Sequence, residues 1–209
     1  MKLPEFFEAL DRHAEHVPIE TLVDLMGRLE ITRPDVEHVV AFAPDGYERN
    51  LLHVGSGYAA LVLCWRPGQS SPIHDHRGSA CGVRVLDGVA SERRYEIDAR
   101  GIPQPGRKSL YPTGHVCGSW DADTHVMFNE QPPGRDLVTL HVYTPPLREI
   151  RTFAPGRPEV EIWSDTLTLE AIGDRETRLR GSGTSTPPAA PRAPSRAAAA
   201  ARPARARDA

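Results

Sequence analysis

From Tyr47 onward the sequence is a succession of short β-rich runs separated by Gly and Pro, and this pattern constrains the fold most strongly. No helical periodicity lies between one run and the next, which disfavours a parallel sheet with helical crossovers. The pattern therefore predicts a mainly β fold, an antiparallel sandwich or small barrel. The Asp87-Gly88 pair predicts a hairpin. The predicted strands are 47–54, 58–65, 71–76, 82–86, 89–97, 114–120, 124–129, 137–143 and 159–169.

The two ends of the chain differ from this middle part. In residues 1–46, apolar side chains recur at three- and four-residue spacing from Phe6 onward, which predicts an N-terminal helical cap. Residues 47–172 form the predicted β-barrel domain. Residues 173–209 are predicted to be a linker and a disordered tail rich in Ala, Pro and Arg. The stretch 181–209 has no Val, Ile, Leu or aromatic residue, so it cannot form a core.

Charge and cysteine content exclude several classes of partner. The net charge is −3, and because 181–209 carries five Arg and one Asp, the acidic excess lies in the predicted folded part, which disfavours nucleic-acid binding. No apolar run is long enough to span a membrane, and the first residues lack the apolar core of a secretory signal. Cys64, Cys81 and Cys117 form no disulfide or C-x-x-C pattern. We therefore expect a cytoplasmic monomer that binds neither membranes nor nucleic acids.

Two histidines in an extended segment indicate a metal site. His74 and His76 are two residues apart, so on a strand both imidazoles point to one face, whereas Asp75 points to the other. Imidazole is a ligand for Zn, Cu, Fe and Ni, so the pair does not by itself select the metal. Two imidazoles do not complete a metal site, so the remaining ligand must come from elsewhere in the chain.

The spacing around this pair resembles a known signature. The pattern G-x5-H-x-H-x4-C-x6-G over 68–88 resembles the first signature of the cupin superfamily, with Cys81 at the place of the usual glutamate ligand. Residues 125–129 resemble the H-x3-N ending of the second signature, although the earlier proline and glycine of that signature are missing. Cupins are small antiparallel β-barrels of the jelly-roll kind. The resemblance implies that three histidines meet inside the barrel: His74, His76 and His125.

Further segments narrow the resemblance to one family. L-C-W at 63–65 with S-S-P-I-H-D-H at 70–76, T-L-H-V-Y-T-P-P at 139–146 and Y-E-R-N-L at 47–51 resemble cysteine dioxygenase. This resemblance implies a non-haem iron enzyme with one Fe(II) per subunit held by the three histidines. It also implies the reaction, in which L-cysteine and O2 give cysteine sulfinic acid in cysteine catabolism.

The same resemblance implies roles for residues that do not bind the metal. Arg49 matches the arginine that holds the substrate carboxylate, a task that suits the planar guanidinium fork. Tyr143 matches an active-site tyrosine whose hydroxyl can also hydrogen-bond the carboxylate, and His141, on the same strand face, would hold that hydroxyl. Cys81 stands where animal members have a cysteine joined to the tyrosine, so the resemblance allows a thioether bond between Cys81 and Tyr143.

The sequence leaves other functions open. A dioxygenase for 3-mercaptopropionate or another small thiol would place its carboxylate-binding arginine elsewhere, and Arg135 is the residue that could serve. A cupin that binds metal without turnover is a binding or sensing alternative. A zinc or manganese isomerase-type cupin is disfavoured, because it would normally require the missing carboxylate ligand.

Overall fold

The chain forms two antiparallel β-sheets that face each other. In this computed structural model, the described residues are 1–120 and 123–180, with side chains up to Arg175. The strands are β1 Glu48–Val54, β2 Ala59–Trp65, β3 Ile73–Asp75, β4 Ala80–Asp87, β5 Val89–Ile97, β6 Pro103–Pro112, β7 Val116–Ser119, β8 His125–Phe128, β9 Leu137–Thr144, β10 Glu149–Phe153 and β11 Val160–Ser164. The five-stranded sheet has the order β1-β2-β9-β4-β7, and the six-stranded sheet has the order β11-β10-β3-β8-β5-β6. The predicted mainly β, antiparallel fold class is confirmed.

The five-stranded sheet is buried on both faces, which explains why β2 reads as an unbroken apolar run. Every residue of β2 and of β9 is buried. Because strand side chains alternate, Ala60, Val62 and Cys64 face the helices, whereas Leu61, Leu63 and Trp65 face the other sheet. The molecule therefore has three layers, and the space between the two sheets is available for a site.

The helical layer comes from the first part of the chain. Its helices are α1 Leu3–Asp11, α2 Ile19–Arg28 and a 3-10 helix over Arg33–Val39. Helix α2 lies directly on the sheet because glycines stand beneath it. A Cβ atom at Gly82 would lie 2.5 Å from Met26 Sδ, and one at Gly118 would lie 2.9 Å from Val23 Cγ2. The helices thus cover the outer face of the sheet and leave its inner face to the other sheet.

The predicted hairpin at Asp87-Gly88 is wrong. Strand β4 pairs with β7 and β9, whereas β5 pairs with β6 and β8, so Gly88 marks the point where the chain passes from one sheet to the other. Gly88 has φ +88°, and a Cβ atom there would lie 2.7 Å from the backbone oxygen of Asp136. Glycine is thus required at this corner by both conformation and close approach.

Two strands were not predicted. Strand β6 lies at the edge of its sheet and is mostly exposed, so it tolerates prolines and charged residues. Because these residues are atypical of strands, the sequence pattern did not indicate β6. Strand β10 is a short run that contains Glu149 and Arg151.

The predicted strand 159–169 is correct only in its first half. Strand β11 ends at Ser164, and helix α3 Thr166–Arg180 follows. The side chain of Asp165 accepts hydrogen bonds from the Thr168 backbone N–H at 3.4 Å and from its hydroxyl at 2.8 Å, which is the geometry of a helix N-cap. Residues 173–180, predicted as linker, are therefore helical. The predicted disorder of 181–209 falls outside the described residues. In the described part of the chain, no helix has the length and apolar character needed to cross a bilayer.

Candidate metal centre

Three histidines of the six-stranded sheet lie together on its inner face. His74 in β3 pairs directly with His125 in β8, and His76 follows the last residue of β3. Their ligand atoms all lie within 4.8 Å of one another. His76 and His125 are almost completely buried. The structure thus brings together the three residues that the sequence analysis named as metal ligands.

The hydrogen bonds and charge states of these rings fit a divalent transition metal. Nδ1 of His74 lies 3.0 Å from the Pro72 backbone oxygen, and Nδ1 of His125 lies 2.7 Å from Glu92 Oε1, which leaves Nε2 of both rings for a metal. Nδ1 of His76 is buried and has no hydrogen-bond partner among the described residues. Burial lowers the pKa of His74 to about 3 and that of His76 well below its usual range. These two imidazoles are therefore neutral near pH 7, the form that binds metal.

Glu92 in β5 is a functional candidate that the sequence analysis missed. Its buried carboxylate accepts hydrogen bonds from His125 Nδ1 and from the Tyr111 hydroxyl, both at 2.7 Å. Burial would raise the pKa of Glu92, but the hydrogen bonds from His125 and Tyr111 outweigh it and lower the pKa to about 2. A carboxylate in this position fixes the tautomer of a ligand histidine and increases its basicity. In the sequence, Glu92 stands in the run S-E-R-R, which resembles a solvent-facing strand.

The five-stranded sheet contributes the other predicted site residues from the facing side. Cys81 in β4 stands directly opposite Tyr143 in β9. The Tyr143 hydroxyl lies 3.5 Å from His141 Nδ1, and the Cys81 sulfur lies 3.8 Å from the same nitrogen. The rings of Tyr143 and His76 meet edge to face with centroids 5.4 Å apart, so the tyrosine borders the histidine cluster. Burial raises the pKa of both Cys81 and Tyr143, which keeps both groups protonated near pH 7.

A chain of hydrogen bonds holds His141 in place. Its Nε2 lies 3.0 Å from the Thr139 hydroxyl oxygen, and the Trp65 indole N–H donates to that oxygen at 3.1 Å. Burial lowers the pKa of His141 to about 3, so the ring is neutral and has one donor and one acceptor nitrogen. The Thr139 oxygen lies within 3.5 Å of the Leu63 carbonyl, which can accept the hydroxyl proton. Together these contacts favour the tautomer in which Nε2 donates to Thr139 and Nδ1 accepts from Tyr143.

A small cavity lies between the two sheets at this point. The centres of water-sized molecules can occupy about 20 Å³ of it, which is room for about one or two waters. The cavity is lined by Tyr47, Leu63, Trp65, Ser71, His74, His76, His125, Met127, His141 and Tyr143.

Arg49 lies beside this cavity but already has an anionic partner. It stands opposite Leu63 in the pairing of β1 with β2, and Leu63 lines the cavity. Nη1 and Nη2 of Arg49 donate to the two carboxylate oxygens of Asp165 at 3.0 and 2.7 Å, and both side chains are buried. Arg135, the alternative carboxylate-binding residue, is exposed and does not line the cavity.

The comparison with protein families agrees with this arrangement. A family model described as cysteine dioxygenase type I matches residues 8–155. The chain belongs to the cysteine dioxygenase type I family. The match confirms the predicted resemblance to this family, which is part of the cupin superfamily. The matched segment contains all the predicted site residues, from Arg49 to Tyr143.

Individual relatives have moderate identity to the chain. Cysteine dioxygenase type 1 of Danio rerio is 28% identical over 145 residues, which cover 67% of this chain and 72% of the relative. The human protein of the same name is 32% identical over 142 residues, which cover 66% of this chain and 71% of the relative. A solved structure from Klebsiella pneumoniae, of an uncharacterized conserved protein with a double-stranded β-helix domain, aligns with a TM-score of 0.48 at 16% identity. That alignment covers 56% of this chain and 88% of the other.

Membership of the cysteine dioxygenase family supports thiol dioxygenase chemistry, which is an oxidoreductase activity that uses a metal. The histidine cluster is the candidate metal site in the described part of the chain.

We predict that Glu92→Gln weakens metal binding, because a neutral amide supports His125 less well than a carboxylate. Loss of such a partner typically lowers metal affinity by about 10- to 100-fold. Glu96→Gln is the matched control, since Glu96 is an exposed glutamate of the same strand. The measurement is Fe(II) retention against a competing chelator, with circular dichroism as the check of folding. Equal retention in a folded Glu92→Gln variant would exclude this role.

Proposed function

We propose that the chain is an iron-dependent dioxygenase that converts L-cysteine and O2 to cysteine sulfinic acid. The observation that carries the proposal is the cluster of His74, His76 and His125 that lines a cavity together with Tyr143, within a segment matched by the cysteine dioxygenase family. Both oxygen atoms of O2 are added to the substrate sulfur. The thiol supplies all the electrons, so the reaction needs no external reductant.

The three histidines would hold Fe(II), which supplies the redox chemistry that activates O2 toward the thiol. Hydrogen bonds at Nδ1 fix the rings of His74 and His125 before metal binds. Because the described cluster contributes imidazoles and no carboxylate ligand, it would leave the charge of the bound ion uncompensated, which favours an anionic sulfur donor. Glu92 supplies a negative charge behind His125 without occupying a coordination position.

Tyr143 and His141 would position the substrate and limit access of water. Because His141 Nδ1 accepts the Tyr143 O–H, the hydroxyl cannot also donate to the substrate carboxylate as the resemblance implied. Its lone pairs remain free to accept a hydrogen bond from the substrate amine. The hydrogen bond between His141 Nε2 and the Thr139 hydroxyl opposes rotation of the His141 ring, and the Trp65 indole N–H holds that hydroxyl in place. Confinement of a thiol next to these groups lowers the entropic cost of reaching a reactive arrangement.

Arg49 is the proposed binding group for the substrate carboxylate. It lies beside the cavity and offers a fork geometry that matches a carboxylate. Its pairing with Asp165 supports a preference for carboxylates at this point, because the guanidinium already binds one.

We predict that the iron-loaded protein consumes O2 and forms cysteine sulfinate in equimolar amounts, with a higher kcat/KM for L-cysteine than for 3-mercaptopropionate. Arg49→Lys should lower kcat/KM for both carboxylate-bearing thiols by about tenfold or more, since a charge-assisted hydrogen bond contributes about 1.5–3 kcal/mol. The lysine keeps a positive charge for Asp165, which protects the fold. Arg135→Lys is the control and should leave both rates unchanged.

These assays use an oxygen electrode and mass spectrometry of the product. O2 uptake that does not exceed the rate of free iron would indicate a binding protein without turnover. Preferential oxidation of 3-mercaptopropionate would instead assign the alternative substrate.

We also propose that Cys81 and Tyr143 form a thioether bond in the mature protein. Their direct pairing across β4 and β9, with both groups within 3.8 Å of His141 Nδ1, supports the bond. Its formation removes one hydrogen atom from the thiol and one from the ring carbon, and O2 takes up both hydrogen atoms and the two electrons to give H2O2.

In denaturing electrophoresis, protein aged with Fe(II), cysteine and O2 should show a second, faster band. Cys81→Ser should abolish that band, because the sulfur that forms the bond is gone. Cys117→Ser, in the neighbouring strand β7, should retain it. A single band in the wild type under these conditions would exclude the crosslink.

A further inference from the structure

Arg49 and Asp165 form a buried ion pair beside the candidate metal centre. The two side chains are 8% and 0% exposed, and they form two parallel hydrogen bonds of 3.0 and 2.7 Å. The Arg49 guanidinium also lies over the Trp163 ring, 5.3 Å from its centroid. Asp165 therefore presents a desolvated carboxylate to the same fork that the proposed function assigns to the substrate.

The position of Asp165 in the chain makes it unlike the other site residues. It lies outside the segment 8–155 that the family model matches, at the junction of β11 and α3. Its side chain caps α3 through Thr168, and its backbone N–H donates to the Arg148 carbonyl at 2.7 Å. Any displacement of the Asp165 carboxylate must therefore disturb the first turn of α3.

Two carboxylates compete for one guanidinium at this place. If both were held, a second buried negative charge would face Asp165 with a single cation between them, which is unfavourable in a desolvated environment. A carboxylate-bearing substrate that binds Arg49 therefore requires the Asp165 carboxylate to leave it.

We propose that Asp165 is an internal stand-in for the substrate carboxylate, and that a carboxylate-bearing thiol displaces it from Arg49 and releases the β11–α3 junction. This inference rests on the proposed function for the identity of the ligand. The apparent affinity for such a thiol is lowered by the fraction of molecules in which Arg49 is free. A thiol without a carboxylate, such as cysteamine, does not require the displacement. The Arg49–Asp165 pair therefore helps to determine substrate specificity.

Asp165→Asn tests the competition directly. The amide keeps an acceptor for Arg49 and for Thr168 but removes the negative charge. Anaerobic titration calorimetry on iron-loaded protein should show L-cysteine binding about tenfold more tightly, as expected where the free state is a minor population. Cysteamine affinity should stay unchanged. Asp174→Asn removes an exposed carboxylate from the same helix and is the matched control, with no effect on either ligand.

Hydrogen exchange on the wild-type protein needs no variant and covers the case in which Asp165→Asn fails to fold. Anaerobic L-cysteine should accelerate exchange of the amides of Asp165, Thr168 and Leu169 by about tenfold, because these amides are protected by the junction. Cysteamine should not accelerate it. Unchanged or slower exchange with L-cysteine, or unchanged or weaker binding by a folded Asp165→Asn variant, overturns the proposal.

Neither readout depends on turnover. A protein that binds L-cysteine with these signatures but forms no sulfinate would contradict the proposed reaction and retain the displacement of Asp165. A protein that forms sulfinate without the exchange signature would retain the proposed reaction and overturn the displacement of Asp165. Absence of L-cysteine binding to both the wild type and the variant overturns the displacement as well.

Discussion

The antiparallel pairing of β3 with β8 is the interaction on which the candidate site depends. It sets His74 directly opposite His125, and the end of β3 then places His76 beside them. A shift of one residue in this register would turn His74 or His125 to the other face of the sheet. The pairing of β4 with β9 has the same importance on the facing sheet, because it brings Cys81 opposite Tyr143. Two registers, one in each sheet, therefore bring together the histidine cluster and the Cys81–Tyr143 pair.

The negative charges near this centre come from carboxylates that are not part of the histidine cluster. The described ligand cluster contains no carboxylate, yet Glu92 contacts one of its histidines and Asp165 neutralises the nearby Arg49. Burying the Asp165 carboxylate without Arg49 would be costly, since removing one partner of a buried ion pair commonly costs about 3–5 kcal/mol. The two pairs differ in chemical consequence. Glu92 orients a proposed metal ligand, whereas Asp165 occupies the position proposed for the substrate carboxylate.

The sequence was sufficient for the parts of the fold and the site that depend on local periodicity or on a spaced motif. Period-two alternation puts His74 and His76 on one face, and the family resemblance places His125, His141 and Tyr143 with them. The sequence was insufficient where contacts between distant parts of the chain determine burial or strand pairing. Glu92 lies among charged neighbours in the sequence, and the partners of its carboxylate come from other strands, His125 in β8 and Tyr111 in β6. Gly88 lies at a corner between the sheets because β4, before it, and β5, after it, pair with strands of different sheets. The Asp165 N-cap was a local signal for α3 that the strand-like residues before it concealed.

The proposed reaction requires that the imidazoles of His74, His76 and His125 bind the iron on which cysteine oxidation depends. The most direct test is the iron content of purified protein reconstituted anaerobically with Fe(II). The wild type should bind about one iron per chain, and a variant with His74, His76 and His125 replaced by alanine should bind none and oxidise no cysteine. Replacement of His13, His16 and His38 in the helical layer controls for the loss of three histidines and should leave the iron content unchanged. Iron at wild-type stoichiometry in a folded His74/His76/His125 variant would contradict the account.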